Sequence, residues 1–383
     1  MRLEDCHNIA DFRRLAKRRL PFPVFHYIDG AADDEVTRAR NTAAFDDVDL
    51  VPNVLAGVAQ IDTSITLMGR KTSLPLMLSP TALQRLFHWQ GERAVARVAE
   101  RQNLWFGISS LSSVSIEEIG ANYAGPKMLQ YYYHKDRGIN AALVERAKAA
   151  NFDAIALTVD TIVSGNRERC KRTGFTTPPR ITPASFVSYA SKPAWALNFL
   201  LRERFSLPNL ESHVGEGSKQ AISIQDYFNS MLDPDMDWAA VEKLRADWGG
   251  TFCLKGVMSV ADACRAADIG CDAIMVSNHG GRQLDGSRAP FDQLAEIVDA
   301  VEGRIEVICD GGVRRGTHVL KALATGAKAA SGGRLYLYAL AAAGEAGVER
   351  AVTILQQEIE RGMRLMGVKS VGELNRDMLR GRR

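Results

Sequence analysis

In the run Ser277-Asn278-His279-Gly280-Gly281-Arg282-Gln283, a histidine stands three residues before an arginine. That spacing can offer one ligand both a base and an anchor for a carboxylate. An unperturbed imidazole titrates near pH ~6.5, which suits proton abstraction close to neutrality. Most lone histidines are surface or packed residues, and five of the other six in this chain read that way; His26 adjoins Tyr27, a further candidate. His279 differs because it directly follows an apolar run. Asp160 closes another, Leu157-Thr158-Val159-Asp160. A carboxylate there is costly without a cationic or N–H partner, and a histidine that becomes imidazolium during turnover would profit from it; an aspartate capping a loop is the plainer alternative. Lys255 also ends an apolar stretch, and Leu254 and Val257 around it argue against a flat solvated position. Two glycine-bearing segments, Asp310-Gly311-Gly312-Val313-Arg314-Arg315-Gly316-Thr317 and Gly333-Arg334, combine backbone N–H groups with arginine, the chemistry of a phosphate cradle.

These positions need elements to hold them. Short apolar runs alternate with amphipathic stretches, the pattern of βα units around a parallel sheet. Strands are expected at 75–79, 104–109, 128–132, 154–159, 252–255, 273–277, 306–310 and 328–332, with helices between them at 92–100, 141–149, 239–246, 260–267, 291–301 and 317–324. Eight such units fit an α/β TIM (β/α)8 barrel better than an open sheet. The last strand is the weakest, because Ala329-Ala330-Ser331-Gly332 lacks β-branched bulk. In this fold the site is built at the carboxyl ends of the strands, and phosphate sits after the seventh and eighth. All eight expected ends present polar or glycine residues immediately after apolar runs, which a purely structural barrel would not need. Two pieces fall outside the eightfold pattern: a helical N-terminal extension over 1–70, and residues 164–236 after strand four, too long for an ordinary connection and so expected to be a lid or binding loop. Within that insertion, 183–205 mixes Phe186, Tyr189, Trp195, Phe199 and Phe205 with Lys192, Arg202 and Arg204. Such a basic, aromatic segment can lie in a membrane interface or pack on its own barrel; both readings are open.

At 383 residues with 46% hydrophobic and 24% charged content, the chain can build one large core under a soluble surface. A net charge of +3 is too small to argue for nucleic acid. The six cysteines show no metal-ligand spacing, so no metal is expected, and a reducing compartment is the simplest reading. Without a signal-like N-terminus or an apolar run long enough to cross a bilayer, a cytoplasmic location is expected, with contact to the inner membrane from that side still open.

The run from Ser277 to Gly286 resembles the signature of the FMN-dependent α-hydroxy acid dehydrogenases and oxidases. The resemblance extends over nearly the whole chain, through Phe25-His26-Tyr27-Ile28-Asp29-Gly30-Ala31, Pro80-Thr81-Ala82, Leu129-Gln130-Tyr131-Tyr132, Leu157-Thr158-Val159-Asp160, Arg167, Lys255-Gly256-Val257 and Asp310-Gly311-Gly312-Val313-Arg314-Arg315-Gly316. It implies FMN as cofactor, an L-2-hydroxy acid as substrate, and a single catalytic domain over 1–383. It further implies that His279 takes the proton and Asp160 steadies the imidazolium. Arg167 and Arg282 would clamp the substrate carboxylate, with the Tyr27 and Tyr132 hydroxyls nearby. Pro80, Thr81 and Ala82 would line the flavin; Ser110, Gln130, Thr158, Lys255 and Ser277 would bind it; Asp310 would meet the ribityl chain; and Gly311, Gly312, Arg314, Gly333 and Arg334 would hold the phosphate.

The long insertion, with Pro193-Ala194-Trp195-Ala196, looks most like that of the bacterial respiratory L-lactate dehydrogenases. This implies oxidation of L-lactate to pyruvate, a membrane quinone or cytochrome as electron acceptor, and a homotetramer. An oxidase passing electrons to O2 is the alternative, and a non-redox flavin-binding isomerase a more distant one. No haem-binding domain is expected ahead of the barrel. The triple Tyr131-Tyr132-Tyr133 departs from the family's commoner Leu-Tyr-Val, which would alter the pocket wall.

Overall fold

A computed structural model of the chain describes residues 1–175, 183–211 and 230–382. Its centre is a closed barrel of eight parallel strands: β1 (Leu76–Thr81), β2 (Phe106–Ser109), β3 (Lys127–Tyr132), β4 (Ala154–Thr158), β5 (Thr251–Val257), β6 (Ala273–Val276), β7 (Glu306–Asp310) and β8 (Ala329–Gly332). Each pairs with its sequence neighbour, and β8 returns to β1 through Ala330–Leu76, Ser331–Met77 and Gly332–Leu78. Every expected strand is present, with ends moved by at most two residues. The helices between them are present too, each somewhat longer than expected at one or both ends; that after β3, for example, begins at Arg137, because Asp136 accepts from the Gly138 N–H and caps it there.

The eighth strand has a packing reason for its small residues. Ser331 meets Ser79 hydroxyl to hydroxyl across the β8–β1 seam, and a Cβ on Gly332 would run into Leu335. Bulk is forbidden there rather than missing, so β-propensity understates the strand.

The barrel floor is apolar. Met77, Trp105, Met128, Cys253, Met275 and Ile308 fill it, and the antiparallel ribbon Ile65–Leu67/Arg70–Thr72 plugs it with Leu67 and Met68. The Trp105 indole N–H donates to Leu67 O at 3.0 Å and the Met68 N–H to the Glu306 carboxylate at 2.6 Å, fixing the plug. With that end filled, the open end is the carboxyl one.

The N-terminal extension carries three helices, Ile9–Arg19, Phe22–Asp29 and Val36–Ala43. The first lies along the long C-terminal helix Arg334–Met366. Asp29, fully buried, pins the extension by accepting from Arg13, Arg169 and Tyr338 and pairing with Arg38 at 3.1 Å. Burial alone would raise its carboxyl, but these partners hold it far below the usual range.

The insertion leaves β4, and its residues 176–182 and 212–229 lie outside the described residues. The described part holds helices Glu168–Arg172, Pro183–Ala190, Pro193–Leu201 and Pro208–Glu211. Its two faces differ in character. Inward, Tyr189, Trp195, Phe199 and Phe205 form a run of ring contacts, and the Trp195 indole donates to Leu86 O at 2.8 Å. Outward, Phe186, Val187, Leu197, Leu200 and Leu201 are exposed, from 56% to 76%. Among the described residues, no helix is long and apolar enough to cross a membrane.

Candidate active site

β6 ends in a turn that its own side chains shape. Asn278 exchanges two side-chain hydrogen bonds with Asn41 of the extension, at 2.7 and 2.8 Å, and accepts from the Gly281 N–H. His279, Gly280 and Gly281 all take positive φ, at 58°, 67° and 76°. For a histidine this conformation is uncommon and costs energy, so the surrounding bonds are what hold the ring in place.

The imidazole Nδ1 lies 3.0 Å from Asp160 Oδ1, at the end of β4. Thr161 donates its hydroxyl to the same oxygen at 2.8 Å, and the Gln283 amide clamps Asp160 O at 2.9 Å. Nδ1 is therefore turned to the carboxylate while the ring lines the cavity. Burial pushes the imidazole below its ordinary pKa against the upward pull of Asp160. Burial works to raise the Asp160 carboxyl, but His279, Lys255 and the Thr161 bond outweigh it and keep it ionised. A neutral imidazole backed by a carboxylate is a base that can accept a proton and tolerate the charge.

Four arginines line the same cavity: Arg167, Arg282, Arg314 and Arg334. Among the described residues none of them pairs with a carboxylate, although most other arginines on this chain do. Arg282 donates to Tyr27 O and Gly30 O at 2.7 and 3.0 Å and lies over the Tyr27 ring. Arg334 donates to Ile28 O, Gly280 O and Gly30 O. The Arg167 Nε is buried without a partner. Burial pushes the Arg282 and Arg314 guanidinium groups below their ordinary values and that of Arg334 down to about 9. Such a set of buried cations without counter-charge calls for anions.

A second polar layer underlies them. Lys255 donates to Asp310 at 2.9 Å and to Ser277 at 3.1 Å, and Ser79 and Ser277 also donate to Asp310. Burial works against the Lys255 ammonium, yet Asp310 and Asp160 hold it above the usual lysine range. On the opposite wall Ser109 donates to Gln130, and Gln130 to Thr158, both at 2.8 Å. Pro80, Thr81, Ala82, Gly311, Gly312 and Gly333 border the cavity with Tyr27 and Tyr132. Burial raises the Tyr132 phenol far above its ordinary value, so it stays protonated. At Gly312, φ is +73° and a Cβ would collide with the Asn41 carbonyl, so only glycine fits this turn at the cavity edge.

Of the residues expected from sequence, Asp160, Thr158 and Ser277 stand one layer behind the lining, linked to it through His279, Gln130 and Lys255. Ser110 is placed differently: its hydroxyl is buried without a partner, and Ser109 faces the cavity instead. The strand stops at Ser109, and side chains alternate across it, so Ser110 falls on the other face. The same alternation answers the tyrosine triple. Tyr131 packs in the outer core and Tyr133 under Arg137, so neither alters the pocket wall. His26 packs against Phe22 and Phe25. Thr161, Phe87, Phe175 and Leu207 escaped the sequence reading. Phe175 stacks on Tyr27 at 4.3 Å, and an isolated aromatic in a long loop carries no periodic signal.

FMN fits this donor set. Its phosphate matches Arg314 and Arg334 beside the glycines at the ends of β7 and β8, and Lys255 offers a buried cation in the same cavity wall as Gln130 and Ser109. A substrate carboxylate matches Arg167 and Arg282.

Comparison with known proteins agrees. A family model described as FMN-dependent dehydrogenase matches residues 16–381. An L-lactate dehydrogenase of Alcaligenes faecalis is 38% identical over 97% of this chain and 97% of its own length. An L-lactate oxidase of a Nostoc species is 38% identical, again over 97% of both chains. Among solved structures, the monotopic membrane protein (S)-mandelate dehydrogenase superposes with a TM-score of 0.92 at 31% identity, over 98% of this chain and 100% of that one. With its barrel and its sequence thus matched over nearly the whole chain, the chain belongs to the FMN-dependent dehydrogenase family and is an enzyme that oxidises a 2-hydroxy acid with FMN.

Proposed function

We propose that the substrate is L-lactate, oxidised to pyruvate, and that the electrons leave to a membrane quinone or cytochrome. The His279–Asp160 pair, facing the same cavity as the uncompensated Arg167 and Arg282, carries the reading. In it, Arg167 and Arg282 fix the carboxylate, a bidentate task suited to arginine. Tyr132 and Tyr27 offer phenol groups beside the substrate. His279 removes the α-proton, or takes the hydroxyl proton as hydride leaves, and Asp160 stabilises the imidazolium. Bound FMN supplies the two-electron acceptor for the α-carbon. Gly311, Gly312, Arg314, Gly333 and Arg334 would hold its phosphate; Pro80, Thr81 and Ala82 would line its ring, and Lys255 would compensate charge on it through a network held by Ser277, Asp310, Gln130 and Thr158. Residues 1–383 act as one catalytic unit, with Tyr27 and Ile28 of the extension and Ser164, Arg167 and Leu207 of the insertion on the cavity.

The exposed apolar face of 183–205, flanked by Lys192, Arg202 and Arg204, supports peripheral contact with the cytoplasmic face of the inner membrane. The monotopic (S)-mandelate dehydrogenase agrees with that. Assembly as a homotetramer follows from the family resemblance and is tested by sedimentation. The Nostoc L-lactate oxidase favours a second reading, in which O2 takes the electrons.

Anaerobic mixing of the holoenzyme with a panel of L-2-hydroxy acids tests the assignment. L-lactate should bleach the flavin band fastest, and subsequent O2 should restore it far more slowly than turnover. Faster bleaching by an aromatic acid overturns the substrate; reoxidation by O2 at turnover speed overturns the dehydrogenase.

A further inference from the structure

The loop leaving β1 does more than border the flavin cavity. After Ala82 it continues through Leu83-Gln84-Arg85-Leu86-Phe87-His88-Trp89, and Phe87 lines two separate cavities. The second holds about 440 Å³, within the range of small-molecule sites. Its walls come from this loop, from helix Ile9–Arg19, from helix Pro193–Leu201 of the insertion and from Ala341 of the C-terminal helix.

Its chemistry is aromatic. Phe87, Trp89, Trp195 and Phe199 line it. Most of the cations at its edge are already engaged. Arg19 donates to Ala342 O, Lys192 to Arg18 O at 2.8 Å, and Arg85 to Ser113 O and to the Glu203 and Arg204 carbonyls. An anion would find few free donors, whereas a flat ring would meet an aromatic wall, with Trp89 under Arg202 and Trp195 stacked with Phe199. The cavity is also built. The C-terminal helix breaks at Ala343–Gly344, where Gly344 takes φ +61° and a Cβ would strike the His88 ring. The break frees the Ala342 carbonyl for Arg19 and seats His88 on the wall. His88 Nδ1 accepts from the Gln90 N–H at 3.3 Å, so Nε2 carries the proton of its neutral ring as a donor.

Helix Pro193–Leu201 has two faces here. Trp195, Asn198 and Phe199 line the cavity, while Leu197, Leu200 and Leu201 are exposed on the other side. A ligand with a ring for the cavity and a hydrocarbon tail for a bilayer suits both.

We propose that this second cavity binds the ring of a lipophilic quinone, one aromatic side chain away from the flavin cavity, and is the place where the enzyme is reoxidised. This rests on the quinone branch of the acceptor reading above. Two electrons and two protons pass from the reduced flavin to the quinone; both ring carbonyls become hydroxyls, and the cofactor returns to its oxidised form. Phe87 forms the shared wall.

The test uses holoenzyme in detergent micelles with decylubiquinone, and two variants, Ala194→Phe to fill the cavity and Trp195→Leu to remove a stacking face. Binding is read by quenching of tryptophan fluorescence in oxidised enzyme, and reoxidation by stopped flow after anaerobic reduction with L-lactate. Wild type should be quenched and reoxidised; Ala194→Phe should lose at least tenfold in both, Trp195→Leu should lose tenfold in reoxidation, and bleaching by L-lactate and reoxidation by ferricyanide should be unchanged in each. Wild-type binding and rates in Ala194→Phe would overturn the cavity while leaving quinone as acceptor. A wild type neither quenched nor reoxidised by decylubiquinone would overturn both.

Discussion

At the scale of single residues, the site sets a base against its surroundings. Burial lowers the His279 pKa and Asp160 raises it, so the two effects can be separated by mutation. Asp160→Asn keeps a side chain that can bond Nδ1 but removes the charge. Flavin reduction by L-lactate should fall by about 10²-fold or more. Because the lost carboxylate was holding the imidazole up, the acid limb of the pH profile should move to lower pH. Single-turnover bleaching across pH measures both, and a limb that stays put or moves upward refutes the pairing. Arg167 allows a complementary test. Its Nε is buried and unpartnered among the described residues, so it is available to a ligand rather than to the fold. Arg167→Lys keeps the charge but loses the planar fork. The substrate Kd from titrated bleaching should rise about tenfold to a hundredfold, as for loss of a charged hydrogen bond, with FMN content unchanged. Weaker FMN retention instead would place Arg167 on the cofactor.

At the scale of elements, sequence periodicity was informative wherever a strand or helix buries a continuous face. Glu306–Asp310 is apolar within and polar at its end, and it begins and stops where expected. Periodicity misled where one residue changes the face. Ser109 and Ser110 are the same residue type side by side, and only the strand end decides which hydroxyl enters the cavity. It was silent on contacts between distant elements: Asn41 with Asn278, or Phe175 on Tyr27, join segments more than a hundred residues apart. The insertion was ambiguous because its composition serves two faces at once. That division makes a prediction about helix Pro193–Leu201. Replacing Leu200 and Leu201, exposed at 72% and 76%, with Asp should leave the inward aromatic run intact. Binding to vesicles containing anionic phospholipid should drop at least tenfold in flotation assays, since apolar area and basic charge both contribute to interfacial affinity. Bleaching by L-lactate should not change. Vesicle binding that survives the double substitution would show that the apolar face is not what touches the bilayer.

At the scale of the whole molecule, the N-terminal extension and the barrel meet over the same cations that await a ligand. Arg334 reaches from the end of β8 to Ile28 O and Gly30 O, and Arg282 from the end of β6 to Tyr27 O and Gly30 O. Asp29, next in the chain, is pinned by Arg13, Arg38 and Arg169. The rim is therefore held partly by guanidinium groups that burial disfavours and that no carboxylate among the described residues offsets. An anion at the ends of β7 and β8 should relieve that penalty and tighten extension against barrel together. A ligand that binds only the folded state at a hundred times its Kd adds about 2.7 kcal/mol, which for a chain of this size corresponds to a few degrees in Tm. Thermal unfolding of the apoenzyme separates the phosphate from the ring. FMN should raise Tm most, inorganic phosphate at millimolar concentration should raise it measurably, and riboflavin, which lacks the anion, should fall well short of FMN. Limited proteolysis should show the 1–70 segment protected in the same order. If riboflavin matched FMN in both assays, the stabilising contacts would lie on the ring, and Arg314 and Arg334 would be structural residues of the rim rather than its phosphate site.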